Sequence, residues 1–235
     1  MATVESAAPD ARGQAHILRI LLGLTLLSGL VDAVCYLGLG HVFTANMTGN
    51  IVILGFAAAG APGFSVLASL TSLLVFLAGA IAGGRISTHI SPRSRRLNLA
   101  ISCEAAFVAA AAVVASLAST VSAGWGRYTV IALLAFAMGI RNAVIRHLAI
   151  PDMTTTVLTQ TLTGLAADSS LAGGDNPRAG RRVSAVAAML AGAVLGAALY
   201  LHRGPGLPLA IAAGVAALTV LSVRVSHAPL ALDRR

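Results

Sequence analysis

The sequence predicts an all-α integral membrane protein with six transmembrane helices and two short re-entrant or broken helices, arranged as two inverted three-span repeats. Three observations support this fold class: the apolar composition, the distribution of arginine, and two polar segments at matching places in the chain. The 235 residues are 57% hydrophobic and 10% charged, with a mean hydropathy of +0.86. A soluble domain carries about 25% charged residues. So few charges could not cover the surface of a soluble protein of this length.

Eight apolar stretches follow one another along the chain, and about 20 such residues are enough to cross the hydrocarbon core. Two stretches differ from the others because they are short and open with polar residues. The second opens with TANMTGN (residues 44–50) and the sixth with DMTTTVLTQT (residues 152–161). The eight stretches are 17–40, 44–60, 64–84, 98–121, 128–147, 153–170, 183–202 and 207–225.

Arginine decides how many of these stretches span the membrane. All sixteen basic residues are arginines, and Arg12 and Arg19 place the N-terminus inside. If all eight stretches crossed, the loop at 85–96 would carry four arginines on the outside. If the two polar-headed stretches instead enter and leave on one side, the arginine clusters at 93–96, 178–182 and 234–235 all lie inside. The charge pattern therefore predicts six spans with cytoplasmic N- and C-termini.

The two halves of the chain have the same order of elements. GLVDAV (residues 29–34) aligns with GIRNAV (residues 139–144), which places Asp32 over Asn142, and TANMTGNIVILG then faces TTTVLTQTLTGL. Three crossings per half make the second half start from the opposite side, as in many transporters. We expect one membrane domain over 17–225, with repeats at about 17–121 and 128–225. Residues 1–16 are expected to be a disordered cytoplasmic segment and 226–235 a cytoplasmic tail.

The polar heads of the short segments are candidate site residues. Irregular backbone inside hydrocarbon needs hydrogen-bond partners, and asparagine and threonine side chains can supply them and cap a short helix. These side chains either only cap and staple two broken helices, or also line a path for a solute or ion. The candidates are Asn46, Thr48, Asn50, Thr154, Thr155, Thr156, Thr159 and Thr163.

Ionisable side chains within the spans form a second set of candidates, because a charge there usually has a partner or a purpose. Asp32 and Arg141 lie at nearly corresponding repeat positions, and Asn142, which aligns with Asp32, is a further candidate for substrate or ion binding. They either form an ion pair that locks the halves together, or bind a cation or proton (Asp32) and an anion (Arg141). Glu104 is expected to be partly solvated near the cytoplasmic face and Asp168 to be interfacial, and both are candidates for gating or proton transfer.

The sequence lacks the motifs of common enzymes. It contains no HExxH, G-x-S-x-G, Walker A or CxxC motif, and Cys35 and Cys103 lie within spans without metal-ligand spacing. We expect no enzymatic activity, no cofactor and no metal. The arginines occur in short loop clusters, so nucleic acid is not expected as a partner. The expected partners are the lipid bilayer and an unidentified small solute or ion, and a homo-oligomer stays open.

Two motifs, VDAVCYLGLGHVFTANMTGNIVILG and GIRNAVIRHLAIPDMTTTVLTQTLTGLAADS, resemble the YoaK family of small bacterial membrane proteins, a domain of unknown function. The resemblance covers about residues 17–225. Its pattern maps onto Asp32, 45–50, Arg141, Asn142 and 151–168, and departs at Thr44, where valine is expected. The resemblance implies a multi-pass protein of the bacterial inner (plasma) membrane and brings no substrate.

The paired polar segments favour a secondary transporter or facilitator of a small solute or ion, with a midplane site between the two repeats. One alternative is a passive channel in which two half-helices form a filter. Another is a non-transporting scaffold or accessory subunit, in which the polar segments are packed dry and every amide is bound by protein.

Overall fold

The computed structural model describes residues 11–117, 124–148 and 158–225, and over these ranges the chain is helical without a strand. Eight α-helices follow in chain order, with a single 3-10 turn, Ser170–Ala172, after the sixth. The helices are α1 Ala11–Gly38, α2 Met47–Ala58, α3 Val66–His89, α4 Arg93–Leu117, α5 Trp125–Leu148, α6 Leu158–Ala167, α7 Ala179–Arg203 and α8 Gly206–Val225. The predicted all-α class is confirmed.

Six of these helices, α1, α3, α4, α5, α7 and α8, are long and apolar enough to cross a membrane. The remaining two lie in the polar-headed stretches and are much shorter, with 12 residues in α2 and 10 in α6. At a rise of about 1.5 Å per residue, neither reaches across a hydrocarbon core of about 30 Å. The predicted number of spanning helices is therefore confirmed within the described ranges.

Helix α1 is described from Ala11 onward, so the helix includes residues ahead of the boundary expected at residue 17. Four parts of the prediction fall outside the described residues. They are 1–10, 118–123, the tail at 226–235, and 149–157, which contains Thr154, Thr155 and Thr156.

Glycines fix the relative direction of α3 and α5. A Cβ atom on Gly79 would meet the backbone of Phe136, and one on Gly83 would meet Ile140. Residue numbers rise together on both helices, so α3 and α5 run in the same direction. Small residues allow this close backbone approach between membrane helices.

The same arrangement joins α1 to α7. Gly192 lies against the backbone of Leu26 and Gly196 against that of Leu30, so these two helices are also parallel. Helix α8 runs the other way, because His16 at the start of α1 contacts the carbonyl of Ser222 near its end, at 3.1 Å.

The end of α1 and the start of α3 lie at the same end of the bundle. His41, just after α1, hydrogen-bonds to the carbonyl of Gly63, just before α3, at 2.9 Å. Gly40 lies against Ala68 on α3 and Arg127 on α5. The segment that contains α2 thus starts and finishes at the same end of the bundle. The six long helices alternate in direction along the chain when α2 and α6 are left out.

Helices α1 and α5 occupy the centre of the bundle. Their most apolar windows are 67% and 61% buried, against 28% for α3 and 17% for α7. The outer helices turn large apolar side chains outward, for example Leu74, Leu77 and Ile81 on α3. Such side chains suit a surface that faces lipid.

Adjacent glycines on α3 test the close approach. A Cβ on Gly83 would lie 2.5 Å from the Ile140 carbonyl oxygen and 2.9 Å from the Ala143 Cβ, whereas one on Gly84 meets nothing within 4 Å. Gly83→Ala should lower the free energy of unfolding by about 1–3 kcal/mol through overpacking. Gly84→Ala should be neutral or gain up to about 1 kcal/mol of helix propensity. Thermal midpoints in detergent would measure both, and equal midpoints would contradict the packing.

Candidate functional site

Asp32 holds the irregular backbone that precedes α2. Its Oδ1 accepts hydrogen bonds from the backbone N–H groups of Thr44 and Ala45, at 2.8 and 2.9 Å, and from the Thr44 hydroxyl at 3.3 Å. The residue is 4% exposed. Because N–H groups in an apolar interior need an acceptor, one carboxylate oxygen here replaces the helical carbonyls that the break removes.

Asn50 closes the same break from the other side. Its Oδ1 accepts from the Phe43 N–H at 2.8 Å, while its Nδ2 donates to the Phe43 carbonyl at 2.6 Å. Ser72 on α3 donates to the same carbonyl and accepts from Nδ2 of Asn50. One amide side chain thus pairs with both polar groups of one residue, as a neighbouring strand would, and α3 anchors the pair.

The break lies well inside the bundle. Asp32 precedes the last residue of α1, Gly38, by six residues, which corresponds to about 9 Å along a helix. The chain therefore returns inward after α1, and α2 starts at that depth. At its start the side chain of Asn46 makes no capping hydrogen bond, and Asn46 and Thr48 are exposed.

Arg141 pairs with Glu104 and not with Asp32. Its Nη1 donates to Glu104 Oε1 at 2.7 Å and to the Leu24 carbonyl at 3.2 Å, and its Nη2 donates to Ser28 Oγ at 2.7 Å. Both charged side chains are 0% exposed. The expected Asp32–Arg141 ion pair is therefore wrong, because Oδ1 of Asp32 is bound to backbone and α4 brings Glu104 against α5.

The expectation that Glu104 is partly solvated is wrong for the same reason. The pair joins α1, α4 and α5 at the centre of the bundle, where removal of one partner would leave an uncompensated charge at a cost of about 3–5 kcal/mol. Glu104 Oε2 and Arg141 Nε lack a hydrogen-bond partner among the described residues, as does Asp32 Oδ2.

Asp168, at the end of α6, accepts a hydrogen bond from Arg182 on α7 at 2.7 Å. Arg182 also donates to the Gly164 carbonyl at 2.6 Å. The Asp168 side chain is 43% exposed, which agrees with an interfacial position. In the described structure it ties the end of α6 to α7.

A cavity of about 790 Å³ lies between the start of α2 and helices α3, α5 and α6. Its described lining comes from 45–48 on the α2 side, Phe76 and Ala80 on α3, Asn142, Ala143, Arg146 and His147 on α5, and Gln160 on α6. Candidate residues Asn46, Thr48 and Asn142 are thus brought together here, whereas Asp32, Asn50 and Arg141 brace the bundle.

The cavity extends from the middle of the bundle to the end of α5. Phe76 and Ala80 lie ten and fourteen residues into α3, about 15 and 21 Å along a helix that is about 36 Å long. Arg146 lies 21 residues into α5, about 32 Å from its start. The start of α2 therefore contacts this space near mid-depth, and the basic side chains lie towards the end where α5 finishes.

The described part of the second polar segment contributes Gln160 to the cavity lining. Thr159 and Thr163 are exposed on α6 and are not among the lining residues, while Gln160 between them is. Sequence reasoning missed Arg146 and His147, which read as a basic helix end, and Ser28 and Ser72, which are single serines in apolar helices. A polar residue within the sixth stretch is the one signal that could have found Gln160.

Metal-binding clusters are absent from the described ranges, where no three His, Cys, Asp or Glu side chains come together. The cavity lining offers amide, hydroxyl and cationic groups to a guest. Such groups can bind and orient a small polar molecule.

These features define a multi-pass transmembrane protein, and comparison with known sequences gives its family. The profile of the family described as "Protein of unknown function (DUF1275)" matches residues 20–222, so the chain belongs to that family. It is 38% identical over 151 residues to the UPF0700 transmembrane protein YoaK of Bacillus subtilis (strain 168). That match covers 63% of this chain and 64% of the relative. No solved structure matches.

The role of Asp32 as a hydrogen-bond acceptor can be tested with one variant that removes the acceptor oxygen and one that removes only the charge. Asp32→Ala leaves two buried N–H groups without an acceptor, which should lower the free energy of unfolding by about 2–5 kcal/mol. Asp32→Asn keeps an acceptor oxygen and should lose less than half as much. Thermal midpoints would measure both variants. Equal losses would contradict the backbone role and show that the charge itself is required.

Proposed function

We propose that this protein is a secondary transporter or facilitator of a small solute or ion in the bacterial plasma membrane, with its site between two inverted repeats. The observation that carries the proposal is the cavity of about 790 Å³, into which the start of the broken helix α2 opens. A helix break that served only for packing would leave no cavity beside Asn46, whose side chain does not cap α2.

Helix packing supports an inverted repeat. When the halves are exchanged, α1 becomes α5, α2 becomes α6, α3 becomes α7 and α4 becomes α8. The α1–α7 contact then becomes α5–α3, α1–α8 becomes α5–α4, and α2–α3 becomes α6–α7, and all of these pairs are in contact. The α4–α8 contact maps onto itself. We infer that α2 and α6 are the re-entrant segments of the two repeats.

Arginine supports the orientation. With the observed helix directions, the starts of α4 and α7 lie at the end where α1 begins, and both carry arginine clusters. Arg127 and Arg203 lie at the opposite end. The positive-inside rule then makes the termini cytoplasmic and opens the cavity towards the cytoplasm.

The division of labour among the polar residues follows from their contacts. We assign solute contact to Asn46, Thr48, Asn142 and Gln160, which line the cavity. Asp32, Asn50, Arg141 and Glu104 keep the broken backbone and the central helices in place. In alternating access one repeat moves against the other around such a site.

A non-transporting scaffold is the second candidate, because the hydrogen bonds of Asp32 and Asn50 all join groups within the protein, most of them backbone groups. A scaffold needs no water-reachable space beside Thr48, and a transporter does. Accessibility of that position therefore separates the two functions without knowledge of the substrate.

The test is a Thr48→Cys variant in a background with Cys35→Ala and Cys103→Ala, reconstituted into liposomes. We expect Thr48→Cys to react with a membrane-impermeant methanethiosulfonate from the cytoplasmic side and, on a slower timescale, from the other side. Leu74→Cys is the matched control, because Leu74 is 59% exposed on the outer face of α3 and should be shielded by lipid.

Failure of Thr48→Cys to react from either side, with the fold intact by gel filtration, would favour the scaffold. A transporter should further show flux that saturates for a solute found by thermal-shift screening of the purified wild type. Flux that rises in proportion to the gradient would instead indicate a channel.

A further inference from the structure

We infer that the cavity recognises an anion that carries a carboxylate or phosphate group. This inference deepens the proposed function, on which it rests, by naming the chemical class of the solute. It follows from the charges that surround the cavity and from the way the other internal arginines are used.

The described lining is cationic and contains no carboxylate. Arg146 and His147 lie on one side, and the rest of the lining consists of amide, hydroxyl and apolar side chains. His147 donates from Nδ1 to the Ala143 carbonyl at 2.8 Å, which leaves Nε2 as the second polar atom of the ring. A cationic guest would meet repulsion here without a compensating negative group from these residues.

Arg146 is exposed and lines the cavity, and it differs in its partners from the two buried arginines. Arg141 pairs with Glu104 and Arg182 pairs with Asp168, whereas no carboxylate among the described residues pairs with Arg146. Its planar guanidinium can bind a carboxylate or phosphate through two parallel hydrogen bonds. An anionic guest would supply the counter-charge that the described part of the chain does not.

The wall of the cavity opposite Arg146, formed by the start of α2, also carries partial positive charge. The first turn of α2 starts beside the cavity with Met47 and Thr48 in the lining, and the Asn46 side chain does not cap it. A helix start carries a partial positive charge and unpaired N–H groups. The guest thus lies between the basic end of α5 and the positive end of α2.

Arg146 and His147 also have an ordinary explanation, because basic residues in the last turn stabilise a helix and keep that end of α5 in the cytoplasm. Helix α3 provides the comparison, because exposed Arg85 and His89 occupy its last turns at the same end and line no part of the cavity. If the basic residues of α5 serve only topology, Arg146 and Arg85 should behave alike.

The experiment measures reaction rates of Thr48→Cys in phosphatidylcholine nanodiscs with an anionic and a cationic methanethiosulfonate of similar size. We expect the anionic reagent to react faster, after correction for the intrinsic thiol reactivity of each. Arg146→Gln should lower the anion-to-cation rate ratio by at least about twofold, since the lost unit charge acts with opposite sign on the two reagents and is screened less in the cavity than in bulk water. Arg85→Gln should leave the ratio unchanged.

Two further arms identify the source of the anion. Slowing of the reaction by succinate or inorganic phosphate indicates a soluble anion, and slowing only when phosphatidylglycerol is added to the nanodiscs indicates a lipid headgroup. The inference is overturned if the ratio does not favour the anionic reagent, if Arg146→Gln leaves it unchanged, or if none of the three probes slows the reaction. Absence of any reaction at Thr48→Cys would instead refute the proposed transport function.

Discussion

Polar backbone groups inside a bilayer must find partners within the protein, and this constraint shapes the rest of the structure. The chain interrupts its helical ladder between α1 and α2, and two side chains replace the missing partners. Asp32 binds the N–H groups of Thr44 and Ala45, and Asn50 binds both polar groups of Phe43. The break can therefore persist about 9 Å inside the bundle. The start of α2, and with it the cavity, depends on these bonds.

The scaffold that holds this break is built from close backbone contacts and one buried ion pair. Glycines let α3 lie directly on α5 and α7 directly on α1. The Arg141–Glu104 pair links α1, α4 and α5 at the centre. Because burial of the two charges costs desolvation energy, the pair adds little net stability. Loss of one partner would nevertheless be strongly destabilising, since the other charge would stay buried without compensation. The cavity beside this centre is large enough to hold a small guest.

Composition and arginine placement were enough to predict the class, the six spans and the position of the two short helices, because each follows from local chain properties. The partners of the charges were not predictable in the same way. Asp32 and Arg141 have matching repeat positions, yet Arg141 binds Glu104, since only tertiary packing places α4 beside α5. The same holds for the cavity, where Arg146 and Gln160 join Asn46 and Thr48. Whether a residue lines the cavity depends on which face of its helix turns towards that space. Repeats and motifs in the sequence do not specify this for single residues.

The central claim, that α2 enters the bundle and leaves on the side from which it came, is tested most directly by single cysteines. Suitable positions in the cysteine-free background are Ala2, Ala59 after α2, and exposed His89 at the end of α3. Impermeant thiol labelling of oriented vesicles reports the side of each. A re-entrant α2 predicts Ala2→Cys and His89→Cys on one side and Ala59→Cys on the other. Labelling of Ala2→Cys and Ala59→Cys on the same side, with His89→Cys opposite, would mean that α2 spans the membrane and would contradict the claim.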